Sequence, residues 1–322
     1  DDQLADPGWL QQLHAVATQC SARVVGGARR LDLDEKTLAG LGFVARSLLG
    51  ENLYTGAPAP MTGQELPTTG NVMIAREVFA PVNRLVDTEE PRMNADATVW
   101  LPEAAYTTAA AYRETGMIAA AQDYADGGAQ LPAVLEAAGN AFFAKAGIGL
   151  GGGAMLTTGN ANLLLAHGTE TQKAVFARNE LSGRWSGTMC LTEPHAGSDV
   201  GSARTTAVKR ADGTYAIKGT KIYISGGDQD LTENIVHLVL ARIDGAPADT
   251  RGISLFAVPK LRPDAATGKL TPNDVVVSGL IHKIGWRGLP SLSLAFGDEG
   301  HCHGWLVGPA HQGLKCMFQM MN

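Results

Sequence analysis

Near residue 184 the spacing of apolar residues changes from a period of about 3.6 to a period of about 2, so the chain must bury helical stripes in its first half and pleated faces in its second. Before the change, "WLQQLHAVATQC" (9–20), "EKTLAGLGFVARSLLG" (35–50), "NVMIAREVFAPVNRLV" (71–86) and "EAAYTTAAAYRETGMIAAA" (103–121) carry helix-like apolar spacing, and "ENLYTGAPAPMTGQELPTTG" (51–70) reads as an exposed connection. Thr169-Glu170-Thr171-Gln172 has the spacing of a capping box ahead of a short helix. After the change, "TYAIKGTKIYIS", "NIVHLVLARI", "GISLFAVPK", "NDVVVSGLI" and "SLSLAFGD" alternate apolar with polar or small residues, and Asp212-Gly213 marks a hairpin.

Runs of helices followed by runs of strands indicate segregated domains. The expected class is α+β multidomain: an N-terminal all-helical domain, a middle antiparallel β domain and the start of a C-terminal helical domain. The expected boundaries are 1–66 for an additional helical segment, 67–183, 184–308 and 309–322. The last stretch, "GPAHQGLKCMFQMMN", reads as a helix with Leu314, Met317 and Phe318 on one face, and it reaches Asn322 without a stop signal. A longer polypeptide with a further helical domain is therefore expected.

With 322 residues, 45% of them hydrophobic, the chain has ample material for large cores. A net charge of -6 and a pI near 5.8 argue against coating nucleic acid or an anionic membrane. Cys20, Cys190, Cys302 and Cys316 are too sparse for a disulfide framework and lack metal-type spacing. With no apolar run of membrane-spanning length and no charged-then-apolar leader, the expected location is cytoplasmic.

Several motifs compete for the chemistry. Gly147-x-Gly149-x-x-Gly152 matches a dinucleotide fingerprint formally, but that loop must follow a strand and "GNAFFAKA" reads as helix; a helix break or a close helix contact is the simpler reading. "GHCHG" (300–304) lacks a second ligand pair, which favours an exposed turn over a metal site. No serine sits in a GxSxG elbow, and Cys190 has no base near it in sequence. "CLTEPHAGSDVG" (190–201) breaks the backbone at Pro194 and turns at Gly197 and Gly201, so free N–H groups and Ser198 could face an anion, or the turn could merely cap itself. "GTKIYISGGDQDL" (219–231) is a second strand ending in a hydroxyl and glycines. Together the two could hold a flat, polar-rimmed heterocycle, although Tyr223 alone is equally readable as core.

These two stretches, with "DGGAQLP" (126–132), "LLLAHGTETQK" (163–173), "RGISLFAVPK" (251–260), "HKIGWRG" (282–288) and "GWLVGPAHQGLKCMF" (304–318), occur in the order seen in the acyl-CoA dehydrogenase family, which the chain resembles from about residue 70 onward. "TEPHAGSDVG" and "CMFQMMN" are similar to the branch of larger enzymes that includes the 3-methylmercaptopropionyl-CoA dehydrogenases. The resemblance implies non-covalent FAD, with Met189, Leu191 and Thr192 lining the pyrimidine side of the ring. It places Gly197 and Ser198 near the pyrophosphate and the acyl-CoA, and Tyr223, Ile224 and Ser225 over the other side. Many relatives have an aromatic residue where Met189 stands and tryptophan where Tyr223 stands, and His195 replaces a small residue. The implied reaction is α,β-dehydrogenation of an acyl-CoA thioester, as in fatty acid metabolism: a carboxylate removes the α-proton while the β-hydrogen leaves as hydride to flavin N5. That base, usually a glutamate, is expected beyond Asn322, and Glu193 is expected to support the loop. The implied partners are an electron-transfer flavoprotein and further copies of the chain, as a homodimer or homotetramer. An oxidase or hydroxylase of the same fold, and a non-catalytic flavin-binding partner chain, remain alternatives.

Overall fold

The structure is a computed structural model that describes residues 24–26, 72–74, 89–264 and 267–321. Two compact units emerge, one containing Thr107–Ile148 and the other built from Leu85–Tyr106 and Gly149–Asn322.

In the first unit, strands β1 (Val24–Gly26) and β2 (Val72–Ile74) form an antiparallel ribbon. Helix α1 (Glu103–Glu114) carries Tyr112, whose hydroxyl donates to Asn140 Oδ1 at 2.9 Å and whose ring meets Phe143 edge-on with centroids 4.8 Å apart. The helix expected over 71–86 is thus corrected at Val72–Ile74, where the β-branched Val72 and Ile74 take a ladder partner instead of a helical turn. The helices expected over 9–20 and 35–50 and the connection over 51–70 lie outside the described residues.

Helix α2 (Ala133–His167) runs for 35 residues straight through the glycine-rich stretch. The expected helix break is absent, and the close-contact reading holds at Gly152, where a Cβ would lie 2.7 Å from the Trp286 ring. No helix among the described residues is long and apolar enough to cross a membrane. After α2 the capping box forms as its spacing requires: Thr169 Oγ1 accepts from the Gln172 backbone at 3.2 Å, and Gln172 Oε1 accepts from the Thr169 backbone at 2.9 Å. It opens α3 (Glu170–Gln172), which passes through a π-helical turn (Lys173–Ala177) into α4 (Arg178–Leu181).

The rest of the second unit is a strand system: β3 (Arg92–Met93), β4 (Val99–Trp100), β5 (Trp185–Cys190), β6 (Thr206–Lys209), β7 (Tyr215–Ser225), β8 (Asn234–Ile243), β9 (Ile253–Pro259), β10 (Leu261–Pro263), β11 (Leu270–Pro272), β12 (Val275–Ile281), β13 (Ser291–Phe296) and β14 (His303–Val307). Strands β7, β14, β9, β8 and β6 pair in sequence, and β6 returns to β7, closing a ring without free edges. Strand β5 extends β8, while β13 and β12 extend the second half of β7. Most pairs are antiparallel; β5 and β6 run parallel to β8. The Asp212-Gly213 turn joins β6 to β7, with Gly213 at φ +85 and Asp212 Oδ1 accepting from the Thr214 backbone at 2.9 Å.

Inside the ring Ile217, Val239 and Phe256 are at most 1% exposed, and the extension adds Ile224, Leu292 and Phe296. Strand β8 is buried on both faces over Asn234–Ala241, because α2 covers its outer side: Asn160 Nδ2 donates to the Val236 carbonyl at 2.8 Å and to the Thr188 carbonyl at 3.3 Å. At the end of the chain, α5 (Gly313–Met321) buries Gly313, Cys316 and Met317. Phe318, expected on the buried face, is 56% exposed, since the buried positions step by three and four from Gly313.

His237 on β8 has no exposure, shares a hydrogen bond of 2.8 Å with Thr188 Oγ1 and meets the Phe296 ring edge-on. Burial, with a smaller contribution from Lys260, pulls its pKa from 6.5 down to about 3. The unfolded chain therefore binds a proton that the folded chain refuses, and stability falls as pH drops from about 6.5 towards about 3. Urea unfolding across that window is expected to show a loss approaching about 1.4 kcal/mol per pH unit from this residue. His237→Asn should flatten that part of the slope, and an unchanged slope would contradict it.

Candidate functional site

The two motif stretches meet at the end of β5. Alternation along β5 directs Thr188 and Cys190 toward the barrel interior and Gly187 and Met189 toward α2. Gly187 is required there: a Cβ would come within 2.5 Å of Asn160 Cβ and 2.6 Å of Glu180 Oε1. Met189 follows on that face, half-buried. Burial raises the Cys190 thiol to about 12, so it is not a nucleophile at neutral pH.

Beyond Cys190 the chain leaves the ladder and is held by Glu193. Its side chain is 2% exposed and that of Lys221 is 0% exposed, with Lys221 Nζ 2.8 Å from Glu193 Oε1. Lys221 Nζ also donates to the Leu191 carbonyl at 3.1 Å. The same carboxylate accepts from the Thr205 backbone at 3.0 Å, the Thr205 hydroxyl at 2.6 Å and the Arg204 backbone at 2.7 Å. Burial would raise the Glu193 pKa, but Lys221 and the Thr205 and Arg204 donors outweigh it and leave the carboxylate below its usual range. Burial pulls the Lys221 ammonium down, and Glu193 restores part of the shift. Gly219 makes room for this arrangement, since a Cβ there would sit 2.4 Å from Thr205 Oγ1. His195 Nε2 lies 3.5 Å from the second Glu193 oxygen.

On the facing strand the β7–β13 ladder pairs Leu292 with Ile224 and Leu294 with Lys221, so Ile222 and Tyr223 form a bulge opposite Ser293. The Ile222 N–H crosses instead to the Thr192 carbonyl at 2.9 Å. Tyr223 takes φ +59 and is 62% exposed, which removes it from the core. A bulky residue in the left-handed region is strained by about 1–3 kcal/mol. Ser225 pairs with Ser291, and the Gly226 N–H donates to the Pro290 carbonyl at 2.8 Å.

The structure therefore brings Leu191 and Thr192 beside the Tyr223 bulge, with Met189 at the end of the same strand. Ile224 goes elsewhere: its side chain is 1% exposed within the core, leaving only its backbone to face the site. Gly197 and Ser198 are exposed on the turn, with Gly197 close to the Thr192 methyl group. Asp199 accepts from the Ser202 hydroxyl and so caps its own turn. Among the described residues the hydroxyls of Thr192, Ser198, Tyr223 and Ser225 have no hydrogen-bond partner. Two contributors were not apparent from sequence. Lys221 was hidden in an alternating strand, where a lysine ordinarily faces solvent, and Arg242 holds the turn from β8 by donating to the Gly201 carbonyl at 2.7 Å. "GHCHG" spans an exposed His301, a buried Cys302 and His303 at the start of β14, and no group of three metal-type ligands occurs among the described residues.

Residues 188–298 match the family profile described as "Acyl-CoA dehydrogenase, middle domain". The chain is 41% identical over 246 residues to 3-methylmercaptopropionyl-CoA dehydrogenase of Ruegeria pomeroyi, covering 76% of this chain and 41% of that protein. It is 40% identical over 272 residues to the broad-specificity linear acyl-CoA dehydrogenase FadE5 of Mycobacterium tuberculosis, covering 78% of this chain and 43% of that one. The chain thus spans about two fifths of the length of these curated relatives. The solved butyryl-CoA dehydrogenase of Megasphaera elsdenii shares the fold with a TM-score of 0.58 at 22% identity, covering 76% of this chain and 57% of that one.

Behind Gly187, Glu180 is fully buried, and neither carboxyl oxygen has a hydrogen-bond partner among the described residues. Burial raises its pKa well above the carboxylate range, so the folded state keeps a proton that the unfolded state releases above about 4.3. Stability is expected to decline as pH rises above that value. Glu180→Gln should remove that decline and flatten the pH dependence of denaturant unfolding above about 4.3. An unchanged pH slope in the variant would contradict it.

Proposed function

We propose, from the premise that this chain belongs to the acyl-CoA dehydrogenase family through its β domain, that it acts in FAD-dependent α,β-dehydrogenation of an acyl-CoA thioester. Family members are FAD-binding flavoproteins, and the site suits such a group. It offers an exposed aromatic side chain, hydroxyls without protein partners, and no exposed carboxylate from Glu193, which is turned inward. The observation that carries the reading is the Ile222–Thr192 backbone bond at 2.9 Å, which joins the two motif stretches into one surface.

In this reading Met189, Leu191 and Thr192 hold the polar edge of the ring. Tyr223 and Ser225 cover its other side with the Ile224 backbone, and Gly197 and Ser198 meet the phosphates and the acyl-CoA. Bound FAD supplies a hydride acceptor, and donors along the Thr192 edge favour the negative charge that develops on reduction. Glu193 is buried and engaged by four donors from Lys221, Thr205 and Arg204, so it serves the loop and is not the acceptor of a substrate proton. The reaction needs another carboxylate, which we assign to the part of the family's helical domain outside these 322 residues.

An electron-transfer flavoprotein as oxidant, a homo-oligomeric assembly, a cytoplasmic location and the division 1–66, 67–183, 184–308 and 309–322 belong to the same proposal. The full-length protein is expected to purify with, or take up, stoichiometric FAD and to lose its flavin absorbance when an acyl-CoA is added anaerobically. Absence of flavin binding, or a bound flavin that no acyl-CoA bleaches, would overturn the proposal. Rapid oxygen consumption during turnover would convert it to an oxidase.

A further inference from the structure

A buried ion pair is a poor device for stability alone, because two apolar side chains of similar volume usually serve as well or better. Glu193 and Lys221 occupy side chains that are 2% and 0% exposed, which makes their placement informative. Lys221 immediately precedes the β7 bulge, and Glu193 immediately follows Thr192. The ion pair at 2.8 Å and the Ile222–Thr192 bond at 2.9 Å are therefore consecutive rungs between the same two segments.

We infer that Glu193 and Lys221 are positioning residues for the candidate flavin site, fixing the Met189–Thr192 strand end to the Tyr223 bulge and setting the charge balance at that edge. This rests on the flavin reading above. The strained φ of +59 at Tyr223 persists because Lys221 is anchored on one side and Ile224 and Ser225 are in register with β13 on the other. Both charges are also held next to Thr192. Lys221 Nζ reaches the Leu191 carbonyl at 3.1 Å, one residue from Thr192, while the Glu193 carboxylate is tied back to Thr205 and Arg204. Removing one charge leaves the other uncompensated in a low-dielectric setting, so the two single variants should act with opposite signs on a group that gains negative charge.

The test uses Glu193→Gln, Lys221→Met and the double variant in the full-length chain. With FAD bound, the reduction potential measured against a reference dye is expected to rise in E193Q and fall in K221M. The expected change is about tenfold in the reduction equilibrium, or about 30 mV for a two-electron couple, and the double variant should lie between them. Without FAD, amide exchange at Ile222 is expected to quicken at least about tenfold in each single variant, while Leu238 on β8 stays protected. Potentials that remain at the wild-type value or shift in the same direction, or exchange that quickens equally at Ile222 and Leu238, would overturn the inference. Should K221M not fold, E193Q alone decides the sign. Should the wild-type chain bind no FAD, the functional reading fails separately, and the exchange experiment still decides whether the pair positions the bulge.

Discussion

The arrangement of the second unit depends on one carboxylate placed where water cannot reach it. Glu193 follows shortly after Cys190, where β5 and its parallel ladder to β8 end, and without a partner it would be an uncompensated buried charge costing several kcal/mol. Lys221, Thr205 and Arg204 satisfy it from two directions. The chain from Leu191 to Thr205 consequently folds back on itself, and the exposed Gly197–Ser198 turn projects from a fixed base. The same carboxylate that is conspicuous in the motif is removed from solvent chemistry by the way it is held.

The barrel supplies the rigidity that this arrangement needs. Strand β7 belongs to the closed ring through Tyr215–Lys218 and to the extension through Gly219–Ser225, so Lys221 sits just past the transition between the two. Gly219 at that transition admits Thr205, and the bulge after Lys221 turns Tyr223 outward while Ile224 returns to the core. Outside, α2 covers β5 and β8, with Gly187 and Gly152 allowing close approach of Asn160 and Trp286 respectively. The candidate site is thus carried on strand ends and a short braced turn rather than on a long loop.

Much of this was legible in the sequence. The change of period at 184 falls one residue before β5, the Asp212-Gly213 hairpin and the Thr169 capping box form where their residues require, and the five alternating stretches become β7, β8, β9, β12 and β13. Short strands such as β6 and β14 were not legible, because four or five residues carry too little alternation and owe their pairing to the closure of the ring. Val72–Ile74 misled in the opposite direction, since three apolar residues within a helical pattern carry no information about a distant ladder partner. At the site, Ser198 and Ser225 stood out as hydroxyls beside glycines, and Thr192 entered through the family resemblance. Lys221 did not, because alternation predicts which face a residue occupies and not that a lysine on the inner face has met a glutamate 28 positions earlier.

The measurement that tests the account most directly is an experimentally determined structure of the full-length protein soaked or grown with FAD. The account predicts ring density against Met189, Thr192 and the Tyr223–Ser225 backbone, with Tyr223 in the left-handed region and the Glu193–Lys221 pair intact behind it. Ring density at any other place on the protein, or an ordered Glu193 carboxylate facing the ring, would contradict it.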